Sequence, residues 1–306
     1  MKKTETIFRR FVLGLLLLLS MDILYISLKN IRFTSVAMKR ELSSKVMLVS
    51  IIILGMIILG GVIASVYKGI QVLSLRNVKI ISACLFLCIM LAELFYVTFI
   101  TKAYPRSDNY TVLTSAMEMA RNGHFQLQNS TGYFSQYTNN YFIVFLLYGF
   151  FRVILFFHIE NLWNAVIALN IIMIDLAVLV TYMTVKKMHG QRQAGFVMFL
   201  TAICPTTYEW ITFTYTNTLS LPFCMLLLYL AIGYKDVTKR KWKVLHLLLM
   251  ALLAGIGYLI RATIIIPVVA VSIYFLFQTA NGKADKKAIS RVACTLGIFL
   301  LGFFYA

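Results

Sequence analysis

Long apolar stretches separated by short, mostly basic polar ones run the length of the chain. About twenty apolar residues carry a helix across a bilayer, and segments near 11–28, 46–67, 80–101, 162–185, 193–204, 217–234, 243–260, 263–278 and 289–306 reach or approach that length. The pattern predicts an all-α fold, a polytopic membrane helix bundle with about nine spans. The first stretch, MKKTETIFRRFVLGLLLLLS, opens like a signal peptide. Its apolar run continues through MDILYISL without a small-residue cleavage site, so it is read as a retained span with a cytoplasmic N-terminus.

One further run, NYFIVFLLYGFFRVILFF (140–157), is also long enough to cross, and counting it would invert everything that follows. Short cytoplasmic loops are enriched in Lys and Arg. With 140–157 laid along the outer membrane surface, KKMHGQR (186–192), KDVTKRKWK (235–243) and KADKKAISR (283–291) all face the cytoplasm together with YKGIQVLSLRNVK (67–79). With it threaded through, those three clusters face outside. The surface placement is therefore adopted. KNIRFTSVAMKRELSSK (29–45), with five basic residues, is an exception that this topology leaves outside. The chain divides into a two-span N-terminal segment, 1–77, and a larger region, 78–306. It stops at GFFYA within an apolar helix, and a C-terminal continuation is expected.

Composition agrees with this reading and narrows the partners. The chain is 60% hydrophobic and 13% charged, which excludes a soluble domain of this length. Its net charge of +18 comes from clusters between apolar segments. Basic residues so placed act as topology signals and contacts for anionic lipid headgroups, not as a nucleic-acid footprint. The five cysteines, Cys84, Cys88, Cys204, Cys224 and Cys294, lie in or at the ends of apolar segments without metal spacing, and are read as small buried hydrophobes.

The outer loop 102–161 interrupts the apolar pattern with YPRSDNYTVLTSAMEMARNGHF (104–125). Val112, Leu113, Ala116, Met117 and Ala120 share one helical stripe, Thr111, Ser115, Glu118 and Arg121 the other, and Gly123 supplies a stop. This is the pattern of a helix lying on the membrane surface. Asp108 stands just before it, where the preceding span emerges. Its carboxylate suits a general base that takes a proton from an attacking hydroxyl. Equally, Asp108 or Asn109 could cap the helix, and the two roles are compatible.

Taken together, SDNYTVLTSAMEMARNGHF, YFSQYTNNYFIVFLLYGFFRVI, LWNAVIALNIIMIDLAVLVTYMTVKKMHG, FTYTNTLSLPFCMLLLYLAIGY and GYLIRATIIIPVVAVSIYF resemble, in their order, the GT-C superfamily of membrane glycosyltransferases. Protein O-mannosyltransferases, aminoarabinose transferases and bacterial cell-surface glycosyltransferases belong to that group. The resemblance covers about residues 78 to 306. It implies a GT-C-like bundle with surface helices in the loop 102–161 and an outer-face site in a bacterial plasma membrane. It further implies transfer, with inversion, from a polyprenyl-phosphate-linked sugar to a cell-envelope glycan, lipid or protein. By the same resemblance Asp108 is the catalytic base and Arg261 holds the donor phosphate. Two features depart from the pattern: Asn217 stands where a "YTD" stretch often has Asp, and Asp108 lacks a neighbouring acid. There is no DxD, so neither a metal nor another cofactor is inferred.

Several residues keep a second reading. Arg261, at the outer end of a span, offers planar paired donors for a phosphate, or it snorkels to headgroups. Tyr215, Thr216 and Asn217 either line the same outer cavity as substrate-binding residues or belong to an interfacial aromatic belt, and Asn109 is counted with the substrate-binding residues. Glu93, Asp175 and Asp22 lie inside spans and are expected to be packing partners between helices. His124 and His158 have no metal spacing and are read as interfacial. A different function, a transporter or flippase of lipid-linked glycans, would call for repeated halves and helices broken near the midplane, and neither is evident. A non-catalytic subunit is the third possibility.

Overall fold

The computed structural model of the chain describes residues 42–100, 106–123 and 132–280, with the isolated positions 14 and 18. The spans expected at 11–28 and 289–306, the basic cluster 283–291, Asp22, His124 and Cys294 lie outside the described residues. Two compact units divide at Ala64 and Ser65. Among the described residues the regular structure is helical throughout. The helices are α1 (Leu42–Val72), α2 (Leu75–Phe95), α3 (Asp108–Asn122), α4 (Tyr133–Gln136), α5 (Tyr141–Phe156), α6 (Leu162–His189), α7 (Gln191–Ile203), α8 (Pro205–Glu209), α9 (Thr216–Gly233), α10 (Arg240–Ile260) and α11 (Ile265–Ala280).

Six stretches among the described residues are long and apolar enough to cross a membrane: Ser50–Val72, Leu75–Ile100, Thr138–Phe156, Leu162–His189, Thr216–Asp236 and Arg240–Ile260. Five coincide with expected spans. The expected span at 193–204 is the 13-residue α7, and at 1.5 Å per residue such a helix covers only about 20 Å. Pro205 stops it, because the residue before a proline is driven out of helical geometry; Cys204 is extended, with φ −79° and ψ 115°. The stretch 263–278 is likewise a shorter apolar helix, Ala262–Leu276.

The second unit is built around α6, which packs along α9 and α7, while α9 also carries α10 and α11. Leu227, Ala231, Met250, Ala254, Ile264, Val268 and Val271 fill the seam between α9, α10 and α11. The α2–α7 seam closes at Gly195, where an added Cβ would stand 2.6 Å from Val78 Cγ1 and 3.1 Å from Ser82 Oγ. Small residues permit this kind of close approach between membrane helices. The cysteines differ from expectation: Cys84 and Cys88 are exposed on the outside of α2, and Cys204 and Cys224 are half-buried. An apolar side chain leaves water equally well by facing lipid or protein, so hydropathy could not separate the two.

Helix α5 has the length and apolarity of a span, and side-chain bonds tie it to α3 and to the segments on either side of it. Near its start, Asn140 Nδ2 donates to the Tyr133 hydroxyl at 2.7 Å. Along its length it packs on α3, with Arg152 Nη1 donating to the Ala120 carbonyl at 3.3 Å. Beyond its C-terminus Arg121 Nη2 donates to the Glu160 carbonyl at 3.2 Å. Asn161 then caps α6 through Oδ1 and the Asn164 N–H at 3.0 Å. One apolar cluster joins Leu113 and Ala116 of α3, Val144 and Phe151 of α5, Leu162 and Val166 at the start of α6, Leu219 at the start of α9 and Ile260 at the end of α10.

Candidate functional site

The second unit has two chemically different ends. At one, basic turns meet: Arg192 Nη2 donates to the Leu73 carbonyl at 3.1 Å, and Lys187 Nζ lies 3.1 Å from Asp236 Oδ2. The α2 start, the α6–α7 turn and the α9–α10 turn are thereby gathered together. The other end, where α3 and α5 lie and where α6 and α9 begin, holds the uncharged polar residues of the loops together with Asp108 and Arg261.

Helix α3 carries the amphipathic stripe read from the sequence, with Val112, Leu113, Ala116, Met117 and Ala120 buried. Gly123, at φ 70°, ends it and donates its N–H to the Met119 carbonyl at 3.0 Å. The start corrects the capping alternative. Ser107 occupies the cap position with φ 58° and ψ −136° and makes no side-chain cap bond, and Asp108 is already the first helical residue. Positive φ at a non-glycine residue stores about 1–3 kcal/mol of strain. Asp108 is exposed, beside the free N–H groups of the first turn, where a helix favours negative charge. Asn109 is buried, and neither amide atom has a partner.

Tyr133 stands between the elements. Burial first, then the Tyr215 hydroxyl, and also the Asp108 carboxylate, push its phenol above the ordinary tyrosine range, while the bond from Asn140 pulls the other way. Its ring packs on those of Phe134 and Tyr137, with centroids 5.1 and 5.0 Å away.

The segment that presents Tyr215 is fastened to the bundle by residues that hydropathy did not single out. Asn170, fully buried in α6, donates through Nδ2 to the carbonyls of Trp210 and Ile211 at 2.9 and 2.7 Å. Thr214 Oγ1 donates to the Val166 carbonyl at 3.3 Å. Tyr215 then begins α9 by donating its N–H to Thr218 Oγ1 at 3.4 Å, while that hydroxyl donates back to the Tyr215 carbonyl at 3.0 Å.

Arg261 interrupts the path from α10 to α11 in extended backbone, φ −157° and ψ 121°. Its Nε donates to Thr263 Oγ1 at 2.8 Å and its Nη1 to Thr216 Oγ1 at 3.1 Å. Among the described residues no carboxylate pairs with it. A guanidinium oriented by neutral hydroxyls keeps its charge for an anion.

The structure thus brings Tyr133 to Tyr215 and, through the adjacent Thr216, Tyr215 to Arg261, with the Asp108 carboxylate near enough to Tyr133 for its charge to act on the phenol. Asn217 parts from this series. Helical rotation turns it into a cavity of about 530 Å³ between α6, α7, α8 and α9, which Thr181, Thr207, Trp210 and Thr218 also line. Tyr133 and Asn140 are the site residues that sequence reasoning missed. The polar run YFSQYTNN ahead of an apolar helix was the available signal.

Deeper in the bundle, Glu93 of α2 and Asp175 of α6 are both buried and their carboxyls face one another. Among the described residues no N–H group or cation bonds either carboxyl oxygen of Glu93. They form the interhelical packing pair expected of acids inside spans. His158, at φ 58°, is exposed after α5, and among the described residues no group of His, Cys, Asp and Glu could hold a metal.

Residues 2–306 match the family of conserved hypothetical integral membrane proteins, and the chain belongs to that family. No curated protein and no solved structure matches it. It is an integral membrane protein with several apolar helices, in contact with membrane lipid.

Proposed function

We propose that the protein is a glycosyltransferase that moves a sugar from a polyprenyl-phosphate carrier to a cell-envelope acceptor at the outer face of the plasma membrane. The observation that carries this reading is an exposed carboxylate, Asp108 at the start of α3, at the same end of the bundle as a guanidinium without a carboxylate partner, Arg261, since α3 shares one apolar cluster with Leu219 and Ile260 and Arg261 is held by Thr216. An acceptor hydroxyl attacks the anomeric carbon, Asp108 takes its proton, and the carbon–oxygen bond to phosphate breaks with the electron pair leaving on the phosphate oxygen. Arg261 holds that phosphate through its planar donors. A phosphate needs far less protonation than an alcohol to leave, so a single carboxylate suffices for inversion. The basic turns gathered at the opposite end of the bundle support an outward-facing site by the positive-inside tendency.

Transport of a lipid-linked glycan is the second reading, favoured by the carboxyl pair Glu93–Asp175 inside the bundle, since ionisable groups there often mark ion pathways. The test is envelope glycan composition in cells carrying wild-type protein or Asp108→Asn. The expected result is loss of one glycan component and accumulation of its polyprenyl-phosphate precursor, with the amount of folded protein unchanged. An unaltered glycan in Asp108→Asn would overturn the assignment of Asp108. A loss caused by Glu93→Gln but not by Asp108→Asn would favour transport.

A further inference from the structure

We infer that the cavity between α6, α7, α8 and α9 holds the uncharged, polyhydroxylated head of an amphiphile. This inference does not depend on the transferase reading, because none of Asp108, Tyr133, Tyr215 and Arg261 lines that cavity.

The chemistry of the wall selects the ligand. Four lining threonines have their hydroxyl protons engaged: Thr181 donates to the Ala177 carbonyl at 2.7 Å, Thr201 to Val197 at 3.0 Å, Thr207 to Thr201 at 3.1 Å and Thr218 to Tyr215 at 3.0 Å. What remains on each oxygen is acceptor capacity. Asn217 adds an amide whose Oδ1 has no partner, and rotation about its soft terminal bond can turn that oxygen to the cavity. Pro222, inside α9, has no N–H for the Thr218 carbonyl one turn earlier, so the helix withholds that acceptor's usual donor. A wall of acceptors calls for a ligand with several O–H or N–H donors.

Charge excludes the ammonium alternative. No charged side chain lines the cavity, and a cation placed among helices without a counter-charge loses its hydration uncompensated. The remaining lining is a fifth threonine, Thr206, whose hydroxyl pairs with Cys204 Sγ at 3.0 Å, with aliphatic side chains such as Ile174 and Met225 and the aromatic Trp210. That combination fits a hydroxylated ring with an apolar stem. The volume, about 530 Å³, lies within the range of small-molecule pockets.

The experiment uses the full chain in phosphatidylcholine nanodiscs with Trp163→Phe and Trp242→Phe, which leaves Trp210 as the only tryptophan. The probes are octyl glucoside, octanol and octyltrimethylammonium. The expected result is a saturable change in Trp210 emission with octyl glucoside, at half-saturation at least tenfold lower than with octanol. Asn217→Leu should weaken it at least tenfold. Thr181→Val, which keeps side-chain shape and breaks only a bond within its own helix, should weaken it severalfold. Equal responses to octanol would make the cavity an apolar lipid groove, and preference for the ammonium would reverse the charge argument. Unsaturable binding of octyl glucoside, or affinity unchanged in Thr181→Val, would also overturn the inference. None of these outcomes depends on sugar transfer, so this inference and the proposed function fail separately.

Discussion

Arg261 Nη1 donates to Thr216 Oγ1 at 3.1 Å across 45 residues of chain, and this bond sets the guanidinium beside the start of α9. Two partners on the same side chain, Thr216 and Thr263, fix the plane of the fork before any ligand arrives. Pre-orientation of this kind lowers the ordering cost of binding.

Arg261→Ala is therefore expected to raise the lipid-donor concentration for half-maximal transfer about tenfold or more, the loss of a hydrogen bond to a charged group being worth roughly 1.5–3 kcal/mol. Arg261→Lys should fall between wild type and Ala, since it keeps the charge and loses the fork. Titration of a polyprenyl-phosphate sugar against reconstituted protein measures this. Unchanged donor dependence in both variants would reduce Arg261 to a headgroup anchor.

Tyr133→Phe removes the hydroxyl that accepts from Asn140 and meets Tyr215 near the Asp108 charge, and leaves the aromatic packing in place. Transfer is expected to drop about five- to tenfold, the equivalent of one hydrogen bond of roughly 1 kcal/mol. In an Asp108→Asn background the same change should add little, because groups acting on one step are not additive. Full additivity in this double-mutant cycle would separate Tyr133 from Asp108.

The placement of α5 is open to labelling. In a cysteine-free background, single cysteines replacing Gln136, His189 or Lys239 are exposed to an impermeant maleimide in intact cells. Only the first should react. Reaction at 189 or 239 would mean that α5 crosses the membrane and that the basic turns face outward.

Gly195→Ala tests the seam that carries α2. A Cβ there meets the stiff Val78 side chain at 2.6 Å, and overpacking of this kind costs about 1–3 kcal/mol. Thermal unfolding in detergent should show a lower midpoint. Gly149→Ala, with nothing near its added Cβ, should gain up to about 1 kcal/mol from helix propensity. Equal midpoints for Gly195→Ala and wild type would show that the seam is looser than the structure has it.

Sequence alone determined the class and much of the local order: membrane helices from their length and apolarity, the stripe of α3 from its period, and its end from Gly123. These depend on interactions within about one helical turn and on the gross cost of polar groups in lipid, which composition reports directly. Tertiary structure decided the rest. Hydropathy cannot distinguish a lipid-facing side chain from a protein-facing one, so the exposure of Cys84 and Cys88 was not legible. Length and apolarity make α5 a candidate span, and they say nothing of its partners, which the bonds of Asn140, Arg152 and Glu160 supply. Tyr133 meets Tyr215 across some eighty residues of chain only through packing, and Asn217 leaves Arg261 only because two helical positions point in different directions. Contacts across such separations arise from packing, which no local pattern encodes.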